Sequence, residues 1–504
     1  MAGLDPAIRR GTSDPWMAEF KIQGHGLADA RRSGRVPRDA GDSRVARAMT
    51  PRGALVLLGG GLIGLTLAAL AVHIPGEDTV GSIALKNVFV AVLAIAVVVY
   101  LLAVALVLRR PTSKGAVLIV LAVAVAMRLA VLFPQPFLSS DIYRYVWDGR
   151  VQIAGINPYR YIPADPALES LRDEAIYPHI NRATVAPTIY PPAAQVVFQA
   201  VARVSQNVVA MKLAMVMFEA LACWAMLRVL ALAGLPGARV LIYAWNPLSV
   251  WDFAGNGHAD AIAIGALAVA LLLRAMRRDA WVGAALGVAV LVKFFPAAVA
   301  PALWRRGPHG AAWRAPLVAI AVIVALYLLY IDVGRHVLGS LFFYFHDEDL
   351  AQGTGIWLLA GLGLFMSVTP FMADVYAAAA LVCLAVLAAW IAFRPRPPAG
   401  TEADVRRICG DAAILAAAVT VAIAPHYPWY FVWLALPCCV NARWSIIWLA
   451  VSPVLLYINP ENERFFWPCL VYLPTAALAA REWWQSTTPQ PLATIEAQAA
   501  QESL

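Results

Sequence analysis

Residues 137–167 read FLSSDIYRYVWDGRVQIAGINPYRYIPADPA and come straight after the apolar run of residues 116–133. Acids, arginines and aromatic residues are concentrated in this stretch. Asp141 stands just beyond the expected end of the preceding helix, and Asp148 follows about two helical turns later. If the stretch is helical, both carboxylates share one face. A polar and aromatic segment at the mouth of a hydrophobic helix is where we expect the chemistry of this chain.

The composition indicates an integral membrane protein. The 504 residues are 61% hydrophobic and only 14% charged, and a soluble domain cannot bury that much apolar surface. The formal net charge of +8 would by itself suit a nucleic-acid-binding protein. The positive residues, however, stand in short clusters between apolar runs, a distribution typical of membrane topology. We therefore expect an all-α polytopic protein surrounded by membrane lipid, with no nucleic acid partner.

Apolar runs long enough to cross a hydrocarbon layer of about 30 Å recur along the chain, and they predict about 12–14 membrane segments. The linker of residues 109–114 is basic and that of residues 75–82 is acidic. The first is therefore expected in the cytoplasm and the second outside. Both termini are then cytoplasmic, and residues 134–207 form a large first periplasmic loop. The run of residues 280–304 is expected to break into two half-helices at KFFP.

The chain divides into four expected parts. Residues 1–48 are polar, with mixed charges and much Gly, Ser and Pro, which is typical of a disordered cytoplasmic tail. Residues 49–115 carry two N-terminal transmembrane helices, residues 116–480 the main membrane domain, and residues 481–504 a cytoplasmic C-terminal tail. The six cysteines show no paired spacing, so neither a disulfide framework nor a zinc site is indicated.

Four polar segments meet on the outer face in this topology, namely residues 141–161, 190–192, 252–260 and 426–430. Ionisable groups near membrane depth cost several kcal/mol unless they are paired or hydrated. Their convergence on one side of the membrane therefore predicts a functional cavity.

Asp141 is the candidate general base, a carboxylate that takes a proton from an attacking hydroxyl. The structural alternative is a helix cap or a salt bridge to Arg144. Asp148 is the reserve candidate. Arg144 and Arg150 are candidate phosphate ligands, and the alternative for both is interfacial solvation.

Lys293 stands alone in an apolar run beside a proline break. It is a candidate phosphate ligand or the counter-ion of an acid such as Glu219. His258 and Asp260 suit a metal pair or a proton relay, and a hydrogen-bonded pair at the start of a helix near Ala259 is the alternative. No cofactor is required, although a divalent cation near Asp260 is compatible with the sequence.

Five motifs in order resemble the GT-C superfamily of polyprenyl-phosphate-sugar-dependent glycosyltransferases, most closely bacterial mannosyltransferases of the alpha-mannopyranosyltransferase and glycosyltransferase family 87 type. They are SSDIYRYVWDGRVQIAGINPYRYIP, TIYPP, WNPLSVWDFAGNGHAD, LVKFFPAAVAP and PHYPWYFVW. The resemblance spans residues 116–470. It implies a multi-helix GT-C-like bundle whose first outer loop is catalytic, with Asp141 at the position of the base. The helices of residues 49–115 are extra to this pattern.

The resemblance also implies a pocket for the sugar and the acceptor, where aromatic rings stack on sugar faces. An aromatic belt at the membrane surface is the alternative for the aromatic members. The residues assigned to this pocket are Tyr143, Tyr145, Asn157, Tyr159, Tyr190, Asn256, His258, Asp260, His426, Tyr427 and Trp429.

The activity implied is transfer of a hexose, mannose by preference, from a polyprenyl-phosphate-linked donor to an acceptor hydroxyl, with inversion at the anomeric carbon. The acceptor is a glycolipid or glycan at the periplasmic face of the bacterial inner membrane. A transporter or flippase of lipid-linked sugars is one alternative, but it needs a polar path through the bilayer, whereas the charged residues cluster near one face. A polysaccharide polymerase is the other alternative.

Overall fold

The computed structural model describes residues 50–72, 80–111, 114–304, 313–340, 352–458 and 463–487. These residues form helices and loops without a β-strand, which confirms an all-α polytopic membrane protein. The expected tail at residues 1–48, the outer turn FHDED at residues 345–349 and residues 488–504 lie outside the described part. The last described helix continues to Thr487, past residue 481, where the C-terminal tail is expected to begin.

The α-helices follow the apolar runs, and polar residues define several of their starts. Thr50 accepts a hydrogen bond from Gly53 N–H and Pro51 follows at the first helical position, while Asn207 caps the start of a later helix in the same way. Both are preferred helix-start residues. The helices are α1 Pro51–Ala71, α2 Val80–Arg109, α3 Lys114–Leu132, α4 Asp141–Ile153, α5 Pro192–Val204, α6 Val208–Leu232, α7 Leu241–Ala244, α8 Asp260–Ala275, α9 Asp279–Val290, α10 Ala300–Leu303, α11 Arg314–Leu328, α12 Trp357–Leu362, α13 Pro370–Phe393, α14 Glu402–Ile423, α15 Ala435–Cys438, α16 Trp444–Val451 and α17 Phe466–Thr487.

Shorter helical turns connect these helices. One is a π-helical segment, and the others are 3₁₀ helices, which are used in short pieces because their hydrogen-bond geometry is poorer. The π-helical segment is Ser249–Gly255, and the 3₁₀ helices are Pro166–Leu171, Tyr177–His179, Gly237–Val240, Phe295–Val299, Ile331–Leu338, Pro428–Leu434 and Ser452–Ile458.

The number of full-length spans is smaller than the 12–14 segments expected. In the described ranges, five helices are long and apolar enough to cross a membrane, or up to seven if each of two bent pairs is one span. Several apolar runs are broken by proline, which removes a helix hydrogen bond and clashes with the preceding turn. Pro247 interrupts the run at 239–255 and Pro296 the run at 280–304. The break at KFFP is therefore confirmed.

The segment between α3 and α6 is packed into the protein. Residues 142–149 of α4 are all buried, and α4 packs against α5. The close approach requires a glycine, because a Cβ at Gly149 would lie only 2.5 Å from the backbone oxygen of Phe198. This packing fixes the position of the first residue of α4, Asp141, relative to the bundle.

A buried ion pair joins α3 to α6. Arg128 Nη2 lies 2.6 Å from Glu219 Oε1, and both side chains are less than 10% exposed. Arg128 also donates to Ala244 O at 2.8 Å and to Ser249 Oγ at 3.2 Å. The guanidinium thus connects the two helices to the segment that leads to residues 252–260.

Removing one partner of this pair should destabilise the protein. Glu219→Met is expected to cost about 3–5 kcal/mol because the Arg128 cation is left without a counter-charge in a buried site. The double variant Arg128→Met with Glu219→Met, which leaves no uncompensated charge, should recover much of the loss. Thermal unfolding midpoints in detergent test this, and a single variant as stable as the double variant would contradict the role of the pair.

Candidate active site

Asp141 is a partly exposed carboxylate at the start of α4. Its side chain is 22% exposed, and Asn181 Nδ2 donates to its Oδ1 at 2.7 Å. The backbone N–H of Asp141 donates to Ser139 Oγ at 3.2 Å. An acid in the first turn of a helix is stabilised by the helix dipole. Asp141 is thus fixed in place while one side of it remains accessible to a ligand.

His258 lies next to this carboxylate. Its Nδ1 is 3.8 Å from Asp141 Oδ2, and its ring stacks on Trp429 with 3.9 Å between ring centroids. Neither ring nitrogen has a hydrogen-bond partner in the structure. A left-handed turn at Gly257, with φ of 72°, directs the histidine towards α4. Polar groups buried without partners are rare in folded proteins, so both nitrogens remain available to a bound molecule.

Lys293 stands on the other side of Asp260. Its Nζ lies 3.5 Å from Asp260 Oδ2 and 3.3 Å from the hydroxyl of Tyr430. The same nitrogen lies 4.4 Å from the centroid of the Tyr430 ring, a cation–π contact. The break after α9 places the amine here. The counter-ion is therefore Asp260, and the expected alternative, Glu219, is wrong because that acid is paired with Arg128.

An apolar cleft opens beside Asp260 and Lys293. It lies between α8 and the turn that carries Phe295 and is narrow, with a volume of about 10 Å³, room for about one water molecule. Asp260, Ala263, Ile264 and Leu267 supply one wall at helical spacing, so they form a single stripe along α8. The opposite wall and the mouth consist of Phe295, Pro296, Trp429 and Trp433.

Tyrosines close the site from the side of the polar loop. Tyr145 and Tyr190 pack edge to face at 4.8 Å, and Tyr145 stacks on Phe198 at 4.6 Å. Burial raises the pKa of both hydroxyls well above the usual value, and the negative charge of Asp141 is the second cause. Both tyrosines therefore stay protonated and can act as hydrogen-bond donors.

A comparison with protein families shows which family the chain belongs to. The family model of the alpha-(1->6)-mannopyranosyltransferase N-terminal domain, MptA_B family, matches residues 51–305. The chain belongs to this family. Its activity is therefore mannosyl transfer from a sugar donor to an acceptor. The match begins at α1 and includes Asp141, His258, Asp260 and Lys293. Among the curated proteins and the solved structures, none matches this chain.

Asp148 of this mannosyltransferase is buried and supports the fold of the loop. It is 1% exposed and accepts hydrogen bonds from Arg144 Nε at 2.9 Å, Thr188 Oγ1 at 2.5 Å and Gln195 Nε2 at 2.9 Å. Arg144 also donates to Ala186 O. The predicted pairing of Arg144 with Asp141 is wrong, because the guanidinium points one turn further along α4. A carboxylate so fully hydrogen-bonded holds the loop together.

Arg150 fixes the far end of α4. It donates to Gln206 Oε1 and to Leu171 O, both at 3.0 Å, and pairs with Asp173 at 2.7 Å. Burial alone would raise the pKa of Asp173, but the hydrogen bonds from Arg150 and from Ile176 N–H lower it below the usual value. The donors of Arg150 are used within the loop, away from Asp141.

Two further predicted pocket residues connect the loop to residues 330–332. Asn157 Nδ2 donates to Asp332 Oδ1 at 2.5 Å, and its Oδ1 accepts from the N–H of Tyr159 at 3.0 Å. The Tyr159 hydroxyl donates to Tyr190 O at 2.7 Å. Both residues support the backbone behind Tyr190.

Asn256 and Tyr143 also serve the framework of the site. Asn256 accepts a hydrogen bond from Leu138 N–H at 3.1 Å, and its Nδ2 donates to Trp251 O. The Tyr143 hydroxyl donates to Gln135 Oε1 at 3.2 Å. These bonds hold the residues immediately before Asp141 against the turn that carries His258.

The PHYPWY turn contributes its rings to the mouth of the cleft. Tyr427 stacks on Trp429 at 4.7 Å, and His426 lies 4.5 Å from Tyr427. Trp429 in turn stacks on His258, so the turn connects directly to the carboxylate. The predicted convergence of the four polar segments is thus present in the geometry around Asp141.

No metal centre is formed by the described residues, where no group of three or more His, Cys, Asp or Glu side chains lies close enough to hold an ion. Asp260 is paired with Lys293. It begins α8 without a side-chain cap, and Ala259 occupies the cap position. The alternative in which His258 and Asp260 cap this helix as a hydrogen-bonded pair is therefore wrong.

Sequence reasoning missed Asn181, which holds Asp141. A single asparagine forty positions along a loop has no pattern that indicates such a contact, because it depends on how the loop folds back. Thr188 and Gln195, which saturate Asp148, were missed for the same reason.

Gly257 offers a test of how the site is built. Gly257→Ala should lower the thermal midpoint and mannosyl transfer, because a left-handed backbone costs about 1–2 kcal/mol for a residue with a Cβ and that Cβ would lie 2.2 Å from Ile142 Cδ1. Gly155→Ala is the matched control, since Gly155 has φ of 78° and open space around it.

Adding Ile142→Val to Gly257→Ala removes the clashing methyl group and should recover part of the loss. Equal thermal midpoints for Gly257→Ala and Gly155→Ala would show that the close approach of residue 257 to Ile142 does not fix the turn that carries His258.

Proposed function

We propose that this membrane protein transfers mannose from a polyprenyl-phosphate-linked donor to an acceptor hydroxyl, with Asp141 as general base and inversion at the anomeric carbon. The observation that carries the proposal is the placement of a partly exposed carboxylate and an amine in one site. His258, whose Nδ1 lies 3.8 Å from Asp141 Oδ2, stands two residues before Asp260, whose Oδ2 lies 3.5 Å from Lys293 Nζ. An apolar cleft opens beside Asp260.

The proposed reaction is a single displacement. Asp141 accepts the proton of the acceptor hydroxyl while that oxygen forms a bond to the anomeric carbon. The bond from this carbon to the phosphate oxygen breaks, and its electron pair leaves with the polyprenyl phosphate. A β-linked donor therefore yields an α-linked product. The family description supports an alpha-(1->6) linkage.

Lys293 is the proposed partner of the departing phosphate. Its contacts in the structure are a carboxylate and a tyrosine, and a phosphate that gains charge in the transition state would compete with Asp260 for the amine. A fixed cation near developing negative charge is worth more in a water-poor site than in bulk water. Arg144 and Arg150 are committed to other partners, so the phosphate is assigned to Lys293 alone.

The cleft supports a lipid-linked donor. A polyprenyl chain is apolar and flexible, and the stripe of Ala263, Ile264 and Leu267 along α8 offers it an apolar wall once the narrow cleft widens around the chain. A water-soluble nucleotide sugar would find no nucleotide-binding groups along this wall. We therefore place the polyprenyl chain in the cleft, the phosphate at Lys293 and the mannose between Lys293 and Asp141.

The aromatic residues and His258 are assigned to the sugars. Tyr427 stacks on Trp429 and Trp429 on His258, and the two ring nitrogens of His258 have no hydrogen-bond partner. The proposed location is the periplasmic face of a bacterial inner membrane, with both termini in the cytoplasm.

Asp141→Asn should lower the rate of mannosyl transfer by about 10²–10⁴-fold, the usual contribution of a general base, because the amide cannot accept the proton. The measurement is transfer by the purified protein from synthetic polyprenyl-phosphate-mannose, together with donor affinity, which should change little. Asp165→Asn is the matched control, since it alters an acid of the same loop that only caps a 3₁₀ helix. Full activity of Asp141→Asn would remove Asp141 as the base.

Lys293→Met should lower turnover by about 10²–10³-fold, as when one donor to a developing anion is removed. Lys293→Arg, which keeps the charge, is expected to retain part of the activity. Arg203→Gln serves as a control because it removes an exposed positive charge. If Lys293→Met transferred mannose as fast as the unaltered protein, the amine would have no part in phosphate departure. Movement of the donor between leaflets without transfer would instead favour the flippase alternative.

A further inference from the structure

A second charged cluster lies at the end of the bundle opposite the candidate active site. α8 begins at Asp260 and continues for 16 residues, a rise of about 24 Å, and Arg274 stands in its last turn. There Arg274 pairs with Asp404 at 3.3 Å. α14 starts at this end and finishes at Ile423, shortly before the PHYPWY turn. The cluster and the active site are thus separated by the length of a membrane helix.

The cluster is centred on Asp411 of α14, whose side chain is 1% exposed. Arg394 Nη2 is bonded to its Oδ1, Arg407 Nε lies 3.3 Å from the same oxygen, and Arg396 Nη2 lies 3.9 Å from the other oxygen. Three guanidinium groups therefore face a single carboxylate.

A fourth arginine joins them from the turn before α16. A Cβ at Gly410 would lie 2.7 Å from the side chain of Asn441, so this turn packs against α14 next to Asp411. Arg443 follows two residues after Asn441 in this turn, which places it on the side of α14 that carries Asp411. In the described part of the chain, no acid forms an ion pair with Arg443.

The charges in the cluster do not balance. Among the described residues of the cluster, four arginines face Asp411 alone. The neighbouring Asp404 is already paired with Arg274, and Glu482 accepts hydrogen bonds from Ser445, so positive charge remains in excess. Arg396 uses its Nη atoms on the backbone oxygens of residues 301, 302 and 304. Half-buried charge without a counter-ion is costly, and a guanidinium has five donors in a geometry that matches a phosphate. The cluster therefore lacks an anion.

Aromatic side chains show where the cluster lies relative to lipid. The ring of Trp390 lies under the Arg394 guanidinium at 4.0 Å and is 54% exposed, while Phe393 is 58% and Trp313 63% exposed. Exposed tryptophan next to arginine at the end of a membrane helix is typical of the water–lipid interface. The anion within reach at that depth is a lipid headgroup.

We propose that Arg394, Arg407 and Arg443 bind the phosphate of an anionic membrane lipid at the end of the bundle opposite the active site. Asp411 and Arg396 hold the guanidinium groups in place, and Trp390 packs beside the headgroup. The bound lipid joins α13, α14 and the turn before α16 by supplying the charge that the protein lacks. The site plays no part in mannosyl transfer.

The test is a binding titration of the full chain in detergent with dioctanoyl-phosphatidylglycerol, read as the rise in thermal midpoint. Arg407→Gln with Arg443→Gln should weaken binding about 30-fold, since each arginine near a membrane surface contributes about fivefold. Arg203→Gln with Arg335→Gln removes two exposed positive charges elsewhere and should leave binding unchanged. Arg407→Lys with Arg443→Lys keeps the charge and should restore most of the affinity.

Mannosyl transfer and the midpoint without lipid report whether each variant is folded. Dioctanoyl-phosphatidylcholine should give no specific stabilisation. The proposal is overturned if the glutamine pair and the control pair bind phosphatidylglycerol equally, if phosphatidylcholine stabilises as much, or if inorganic phosphate at the same concentration is as effective, because the ligand would then be free phosphate.

Discussion

Charged side chains inside an apolar bundle must be paired or hydrogen-bonded, and the kind of partner distinguishes the framework of the protein from the candidate active site. Arg128 is paired with Glu219 and Arg144 with Asp148, each at less than 3 Å and each shielded from solvent. Asp141 differs, because its partners in the structure are the neutral amide of Asn181 and the imidazole of His258. An acid that is held in place but not neutralised by Lys or Arg is suited to accept a proton.

The same constraint explains how the proposed lipid-linked donor would meet a polar group. The break in the helical run at Lys293 brings an amine to the start of α8, where Asp260 compensates for its charge. The apolar stripe of α8 then leads away from that amine. α8 thus carries the polar side chain of Asp260 at its start, and its apolar stripe begins about one turn later.

Much of this arrangement could be predicted from the sequence. Apolar runs predicted the membrane helices, and the proline at residue 296 predicted the break beside Lys293. The position of Asp141 just after the third helix made it the candidate base. In the described ranges fewer helices are long enough to cross a membrane than the apolar runs predicted, because the length of an apolar run does not show whether prolines such as Pro247 divide it. The partners of each charge were largely beyond prediction. A salt bridge between Arg144 and Asp141 was the alternative because the two residues are three positions apart, but a residue on α4 has neighbours at both three and four positions. Only the folded loop, with Thr188 and Gln195, decides in favour of Asp148.

In the proposed reaction Asp141 and Lys293 flank the anomeric carbon of one bound donor, Asp141 on the side of the attacking acceptor hydroxyl and Lys293 on the side of the departing phosphate. The most direct measurement is a cryo-electron microscopy structure of the Asp141→Asn variant with polyprenyl-phosphate-mannose. We expect density for the phosphate within hydrogen-bonding distance of Lys293 Nζ and for the polyprenyl chain along Ala263, Ile264 and Leu267. The anomeric carbon should face the substituted side chain. A phosphate bound away from Lys293, or a mannose on the far side of α4 from residue 141, would contradict it.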